Sequence, residues 1–430
     1  MAANTPPRRF RLLFALLVAA WFVSAAPCPG ATTEASDLRL VIVLTRHGVR
    51  SPLADNARLD AYSAQPWPHW PVAPGILTPH GHEQMILMGK YYRALYKSAG
   101  LLTGRVADDV PRILFRADND QRTIVTAQAL AAGLIPGAAA YVEARPAGEV
   151  DPLFRPIQVP IGQPDKALGV AAVLGRSGGD LARADEACRP ALLALQHVMF
   201  GGEGTPPPGK TSILAASTSA GPGTGDATVN LSGALAVAHT LTDALLLEYA
   251  EGLPMPDVGW GRITPDVMTQ LLELHSVSFD LTAGTFYPAQ IQGSDLADHI
   301  LQTMEQAATG RPHSGAFGSP QQRMIVLVGH DTNILNVGGL LGLNWRVPGA
   351  QANPVLPGGA LVFELRRHRA DGRFFVRVLY LSQTLEQMRT LQPLTLENPP
   401  ALAPIFVPEC SEAGPGFEAP LDLFRAKLHR

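Results

Sequence analysis

Arg46-His47-Gly48-Val49-Arg50-Ser51-Pro52 sets one imidazole between two arginines, with a glycine beside it and a proline closing the stretch. These residue types suit chemistry on a phosphate ester. Arg46 and Arg50 offer forked donors to the phosphate oxygens, His47 can attack phosphorus, and Gly48 would let backbone amides approach the ligand. Ordinary residue usage would produce this spacing by chance in roughly one chain of this length in ten thousand. The plainer alternative, a solvated basic turn, fits poorly because the motif directly follows the apolar run Val41-Ile42-Val43-Leu44.

A second group, Gly329-His330-Asp331, follows the apolar run Met324 to Val328. A His-Asp pair is common by chance, so its position carries the argument. If the two runs are parallel neighbouring strands, Asp331 can protonate a departing alkoxide while His330 donates to a phosphate oxygen. The alternative for Asp331 is a helix N-cap, which Thr332 or Asn333 could also provide. Arg122, within Asp118-Asn119-Asp120-Gln121-Arg122-Thr123, is a third cation, near a predicted helix N-terminus that itself favours anions.

The elements that must position these groups read as an alternating α/β pattern. Strands are expected at Leu38 to Leu44, Ile113 to Phe115 and Met324 to Val328, and a helix from Gln121 to Ala132 closed by Gly133. A second helix from Asn333 towards Leu343 is less regular because of Gly338-Gly339. In such sheets ligands bind beyond the carboxyl ends of the strands, so residues after Leu44, Phe115 and Val328 can share one cleft. From about 161 to 282 the periodicity turns helical, as in Leu192 to Met199 and Leu231 to Tyr249. That predicts a helical domain inserted between two parts of an α/β domain, 37–160 and 283–430. Gly201 to Gly225 reads as a mobile surface loop, and Pro66 to Pro74, with Trp67 and Trp70, as an irregular segment near the pocket rim.

The chain of 430 residues carries a net charge of −3, which gives no excess of positive charge for tracking nucleic acid or an anionic membrane. Arg8, Arg9 and Arg11 before the apolar run Leu12 to Val23 read as a secretory signal peptide over 1–25, cleaved near Ala25. The run is short for a membrane span, so no stable anchor is expected and the product is read as periplasmic or secreted. Cys28, Cys188 and Cys410 allow at most one bridge; a Cys188–Cys410 pair and free buried thiols are the alternatives. Gly204 to Thr211 matches a nucleotide-binding loop in letter, yet its three prolines remove the amides that should cradle phosphate. His80-Gly81-His82 lacks a third metal ligand and reads as exposed loop.

The two active-site loops, with Gln121-Arg122-Thr123, Asp151-Pro152-Leu153-Phe154, Gly259-Trp260-Gly261 and Pro357-Gly358-Gly359, resemble the histidine acid phosphatase family. The resemblance is to its bacterial branch of periplasmic acid phosphatases, phytases and glucose-1-phosphatases. It implies a histidine phosphatase fold, with a central mainly parallel sheet flanked by helices and a smaller inserted helical domain. It also implies His47 as nucleophile, Asp331 as proton donor, and Arg46, Arg50, Arg122 and His330 as the phosphate-binding set. Asp118 and Asp243 fall where relatives place acidic residues near the substrate. No metal or other cofactor is expected, and the partners implied are small-molecule phosphate esters; oligomeric state stays open.

The activity implied is hydrolysis of phosphate monoesters through a phosphohistidine, broad in specificity, including sugar phosphates and phytate. A specialised phytase or glucose-1-phosphatase is the alternative. Leu53-Ala54, after Pro52, lack the polar groups of phytases, whereas Leu343-Asn344-Trp345 look phytase-like. A phosphomutase is disfavoured by the signal and the large insertion, and a binding protein for phosphorylated sugars by the retention of His47 with Asp331.

Overall fold

The computed structural model describes residues 36–159 and 164–429, together with Met1. The basic and apolar leader and Cys28 lie outside the described residues. Strands β1 (Ser36–Arg46), β2 (Ile113–Ala117) and β3 (Val142–Glu143) come first in the chain. A hairpin of β4 (Ser219–Pro222) and β5 (Val229–Ser232) follows, and then β6 (Met324–Gly329), β7 (Ala360–His368), β8 (Phe374–Ser382), β9 (Ala401–Ile405) and β10 (Ala419–Pro420). The main sheet runs β10-β8-β7-β1-β6-β2-β3, with β9 also paired to β8. The half that bears the predicted active-site loops, β1, β6, β2 and β3, is parallel. From β7 outward the pairing is antiparallel.

The pleat explains why these strands read as unbroken apolar runs. Val41 and Val43 face one layer and Ile42 and Leu44 the other, and β6 divides Val326 and Val328 from Ile325 and Leu327 in the same way. A strand covered on both sides has no polar face to show. The first layer contains helices Pro79–Ser98 and Gln121–Leu134, and the second Phe286–Thr309 and Asp331–Leu341.

Gly133 does not stop its helix, which continues to Leu134. A Cβ on Gly133 would lie 2.3 Å from the Ile86 carbonyl oxygen, and one on Gly89 would lie 2.2 Å from that of Leu130. The two helices of the first layer therefore touch backbone to backbone. Gly338 and Gly339 likewise lie inside the helix Asp331–Leu341, which ends at a left-handed Gly342.

Between 166 and 282 helices predominate, with Arg189–Phe200, Ala234–Ala250 and Pro265–Thr282 packed around Leu192, Leu195, Leu245, Leu271 and Leu274. Trp67 belongs to this core, edge-on to Trp260 at 5.1 Å, rather than to the pocket rim. The stretch read as a mobile loop is anchored: Lys210 Nζ donates to the Asp60 carbonyl at 2.7 Å and the Thr211 amide to that of Ala61 at 2.8 Å. Its lysine is thereby a tether, not a phosphate ligand. His80 and His82 lie in the first turn of the helix Pro79–Ser98 rather than in a loop, and His80 Nε2 donates to the Met388 carbonyl at 2.8 Å.

Cys188 is a buried free thiol in the helical core, whereas Cys410 packs into the layer against Ile42 and Leu44 of the sheet, so the two do not pair. Among the described residues no helix is long and apolar enough to cross a membrane.

Candidate active site

Register brings the loops together. Arg46 pairs with Gly329, and Ala117 with Val328, so the chain leaves β1, β6 and β2 at one level. The neighbouring parallel strands on which the reading of Asp331 depended are thus present. After β1 the loop is fixed by its backbone: the His47 amide donates to the Gly329 carbonyl at 3.1 Å and the Gly358 amide to the His47 carbonyl at 2.9 Å. Gly48 serves packing rather than ligand approach. Its amide donates to Thr126 Oγ1 at 3.0 Å, and a Cβ there would meet Met85 Cγ at 2.8 Å.

His47 is 2 % exposed and lines a cleft of about 380 Å³, within the size range of small-molecule sites. Its Nδ1 lies 2.9 Å from the Gly48 carbonyl oxygen, which can only accept, so Nδ1 carries the proton and Nε2 keeps its lone pair. Burial, reinforced by Arg46, Arg50 and Arg122, holds its pKa well below the ordinary histidine value. The ring meets His330 edge-on with centroids 5.8 Å apart.

Each arginine of the inner cleft is answered by a carboxylate. Arg46, fully buried, donates through Nη1 to the Val355 carbonyl at 2.7 Å, while its Nη2 lies 3.2 Å from Asp243 and 3.1 Å from Asp331. Arg50 reaches the other Asp243 oxygen at 3.1 Å, and Arg122 reaches Asp120 at 2.5 Å. Asp243 lies in the cleft wall as a bridge between two guanidiniums. Burial works to raise its pKa, but Arg50, His275 and Arg46 outweigh that and hold it well below the usual carboxylate range. For Asp331 burial also acts upward, and Arg46 turns the net shift downward.

Asp118, fully buried, stands behind His330 rather than in the cleft wall. Its pKa is lowered: burial opposes ionisation, but the hydrogen bond and charge of His330, with Arg155, prevail. His330 Nε2–H therefore donates to the Asp118 carboxylate at 2.7 Å. Asp331 is the first residue of its helix, and His330 stands in the N-cap position with its amide donating to Asn333 Oδ1 at 2.9 Å.

Several cleft residues were not singled out from the sequence. Arg155 is the chief one: it holds Asp118 at 2.8 Å and Asp120 at 2.5 Å. It directly follows the quoted Asp151-Pro152-Leu153-Phe154, so the signal was one residue away. Asp118, Asp120 and His330 have the donor atoms of a metal site, yet Arg155 Nη2 already supplies the positive charge at their centre. His239, stacked on His275 at 4.8 Å, is pushed down to about 4 by burial and by that neighbour. Arg58, Phe154 and Thr240 complete much of the outer wall.

The sequence model of the histidine phosphatase superfamily, branch 2, matches residues 37–181 and 269–381. The chain belongs to this superfamily. It is a phosphoric monoester hydrolase of the acid phosphatase and phytase group within the histidine phosphatases. It is 34 % identical over 384 residues to the phytase AppA of Escherichia coli, covering 87 % of each chain. Identity to the glucose-1-phosphatase of Providencia rettgeri is 28 % over 427 residues, with 94 % of each covered. Among solved structures, the Hafnia alvei phytase in complex with tartrate superposes with a TM-score of 0.84 at 33 % identity, over 92 % of this chain and 96 % of that one.

Proposed function

We propose that this histidine phosphatase is an exported acid phosphatase of broad specificity in which His47 attacks phosphorus and Asp331 manages the leaving-group proton. The observation that carries the reading is the His47 Nδ1–H bond to the Gly48 carbonyl inside a buried, arginine-rich wall. A free imidazole would be protonated in acid; this one keeps a nucleophilic Nε2. Attack forms a P–N bond as the P–O bond to the alcohol breaks. Water then adds to the phosphohistidine, releasing phosphate and restoring the imidazole.

Arg50 and Arg122 clamp the phosphoryl oxygens. Arg46 adds its charge from behind them and keeps Asp331 ionised in the free enzyme. The proton for the leaving group then arrives with the substrate, because a phosphate monoester is a monoanion below its second pKa of about 6. Transfer to Asp331 on binding gives the dianion and the acid that the reaction needs. Asp118 holds the His330 ring in place through Nε2–H, so that the imidazole stands beside the phosphoryl site as part of its polar wall.

The same reading divides the chain at 161 and 282, the helical insertion supplying Asp243 and His239 and the α/β part supplying His47, His330 and Asp331. The relatives carry phytase and glucose-1-phosphatase names in turn, and the neutral Leu53-Ala54 after Pro52 favours an enzyme that cuts phytate without being specialised for it.

Rapid quench of a radiolabelled monoester into alkali, where phosphohistidine survives, tests the mechanism. Label should appear on the wild-type protein, with or without EDTA, and be absent from His47→Ala. Activity that depends on added metal would overturn it.

A further inference from the structure

Beyond the scissile phosphate the cleft continues into a second depression of about 530 Å³, and Arg58, Asp226, His239 and Gln292 line both. Its far wall is the β4–β5 hairpin, which adds Thr224, Thr228 and Asn230. This outer end therefore offers hydroxyls and amides suited to a polyol, with two ionic side chains. Those two are not alike. Asp226 is already answered, 3.6 Å from Arg155 and hydrogen-bonded by Gln158. Arg58 has no acidic partner among the described residues: Asp55, its near neighbour, accepts from the Arg58 backbone amide instead. Arg50, Arg122 and Arg155 each hold a carboxylate, so Arg58 is the one cleft arginine left uncompensated among the described residues.

We propose that Arg58 is a specificity-determining residue that holds a second anionic group on the leaving-group side of the substrate, so the cleft favours polyol phosphates bearing a further phosphate. A guanidinium fork matches phosphate geometry, and an uncompensated one gains most when an anion arrives. Leu53 and Ala54 carry no charge, and Arg58 stands four residues after Ala54, on the short helix Asn56–Asp60. A single uncompensated cation suits one extra phosphate, not a ring of them. The inference rests on the phosphatase reading above.

The test is kcat/KM for glucose 1,6-bisphosphate against glucose 1-phosphate, which differ only in the distal phosphate. Wild-type enzyme should prefer the bisphosphate, and Arg58→Ala should lower the ratio of the two about tenfold, mainly through KM, roughly the weight of one exposed charge-assisted contact. Arg58→Lys should retain a larger share of the ratio than the alanine variant, because it keeps the charge. A ratio unchanged within about twofold in Arg58→Ala, or equal losses on both substrates, would overturn the role of Arg58. Failure of the wild-type enzyme to release phosphate from either substrate would instead sink the phosphatase reading on which it rests.

Discussion

At the inner end of the cleft, Arg46, Arg50, Arg122 and Arg155 are each locked to Asp118, Asp120, Asp243 or Asp331, and the nucleophile loop is held by its own backbone. At the outer end the wall is a hairpin, an exposed arginine and a set of hydroxyl and amide side chains. The inner groups are fixed before substrate arrives, so they need no reorganisation as charge moves in the reaction. At the outer end Arg58 has no acidic partner among the described residues, which leaves it to meet different substrates. Chemistry and selectivity are thereby separated along one groove: damage inside should slow every substrate, whereas damage outside should reorder them.

The sharpest way to break this division is His47→Ala. It should lower kcat by at least about a thousandfold on every ester, with the far-ultraviolet circular dichroism retained. A loss confined to one substrate would put the division in doubt. Next comes Asp331→Ala, which should cost on the order of a hundredfold on sugar phosphates and much less on p-nitrophenyl phosphate, whose phenolate leaves unaided. Because Asp331 is held ionised in the free enzyme, kcat/KM should fall about tenfold per pH unit above the substrate's second pKa near 6. A flat profile to pH 8 would exclude proton delivery by the monoanion.

Asp118→Asn should cost roughly tenfold to a hundredfold, because the amide can keep a hydrogen bond to the His330 ring but removes the negative charge behind it. Equal effects on all substrates would sharpen the inner-end reading, and a shift in substrate order would weaken it. The outer end predicts a smaller number. Compared at one acidic pH, kcat/KM for phytate should not exceed that for glucose 1-phosphate by more than about tenfold, roughly 1.4 kcal/mol.

The helix Ala234–Ala250 that carries His239 and Asp243 to the cleft makes a last, smaller prediction. Glu248 is buried and its pKa is raised to about 8, while that of Glu251, just beyond the helix, is raised to about 7 by burial. An unfolded glutamate titrates near 4.5. Between that value and about 8 Glu248 holds a proton in the folded protein that the unfolded chain has lost; up to about 6.5 the depressed histidines His47 and His239 oppose this, and above it stability falls with rising pH until it levels off beyond about 8. The melting temperature should drop by a few degrees between about pH 6.5 and pH 8.5, and Glu248→Gln should flatten the fall. An unchanged slope in that variant would remove Glu248 from the account.

Much of the inner end was legible because sequence and space coincide there. An apolar run ending in Arg46-His47 or Gly329-His330-Asp331 states both the strand and the loop that leaves it. Arg155, although it directly follows the quoted Asp151-Pro152-Leu153-Phe154, was missed because no strand leads into it and its partners Asp118 and Asp120 are more than thirty residues earlier in the chain. His239 and His275 meet only when two helices pack, and singly each looks like any core histidine. Gly133 misled because a glycine that ends a helix and one that lets another helix touch have the same local sequence. Cys188 and Cys410 gave no signal that they belong to two different cores.

The peptide units flanking His47 are bonded on one side to Gly329 and on the other to Gly358, tying together segments far apart in the chain. Opening that knot requires β1 to part from β6 and from the turn before β7. Its amide proton should therefore exchange with deuterium only through the global opening that dismantles the sheet. Heating should consequently leave turnover intact until the whole domain melts, and the half-life of activity at high temperature should equal that of the fold.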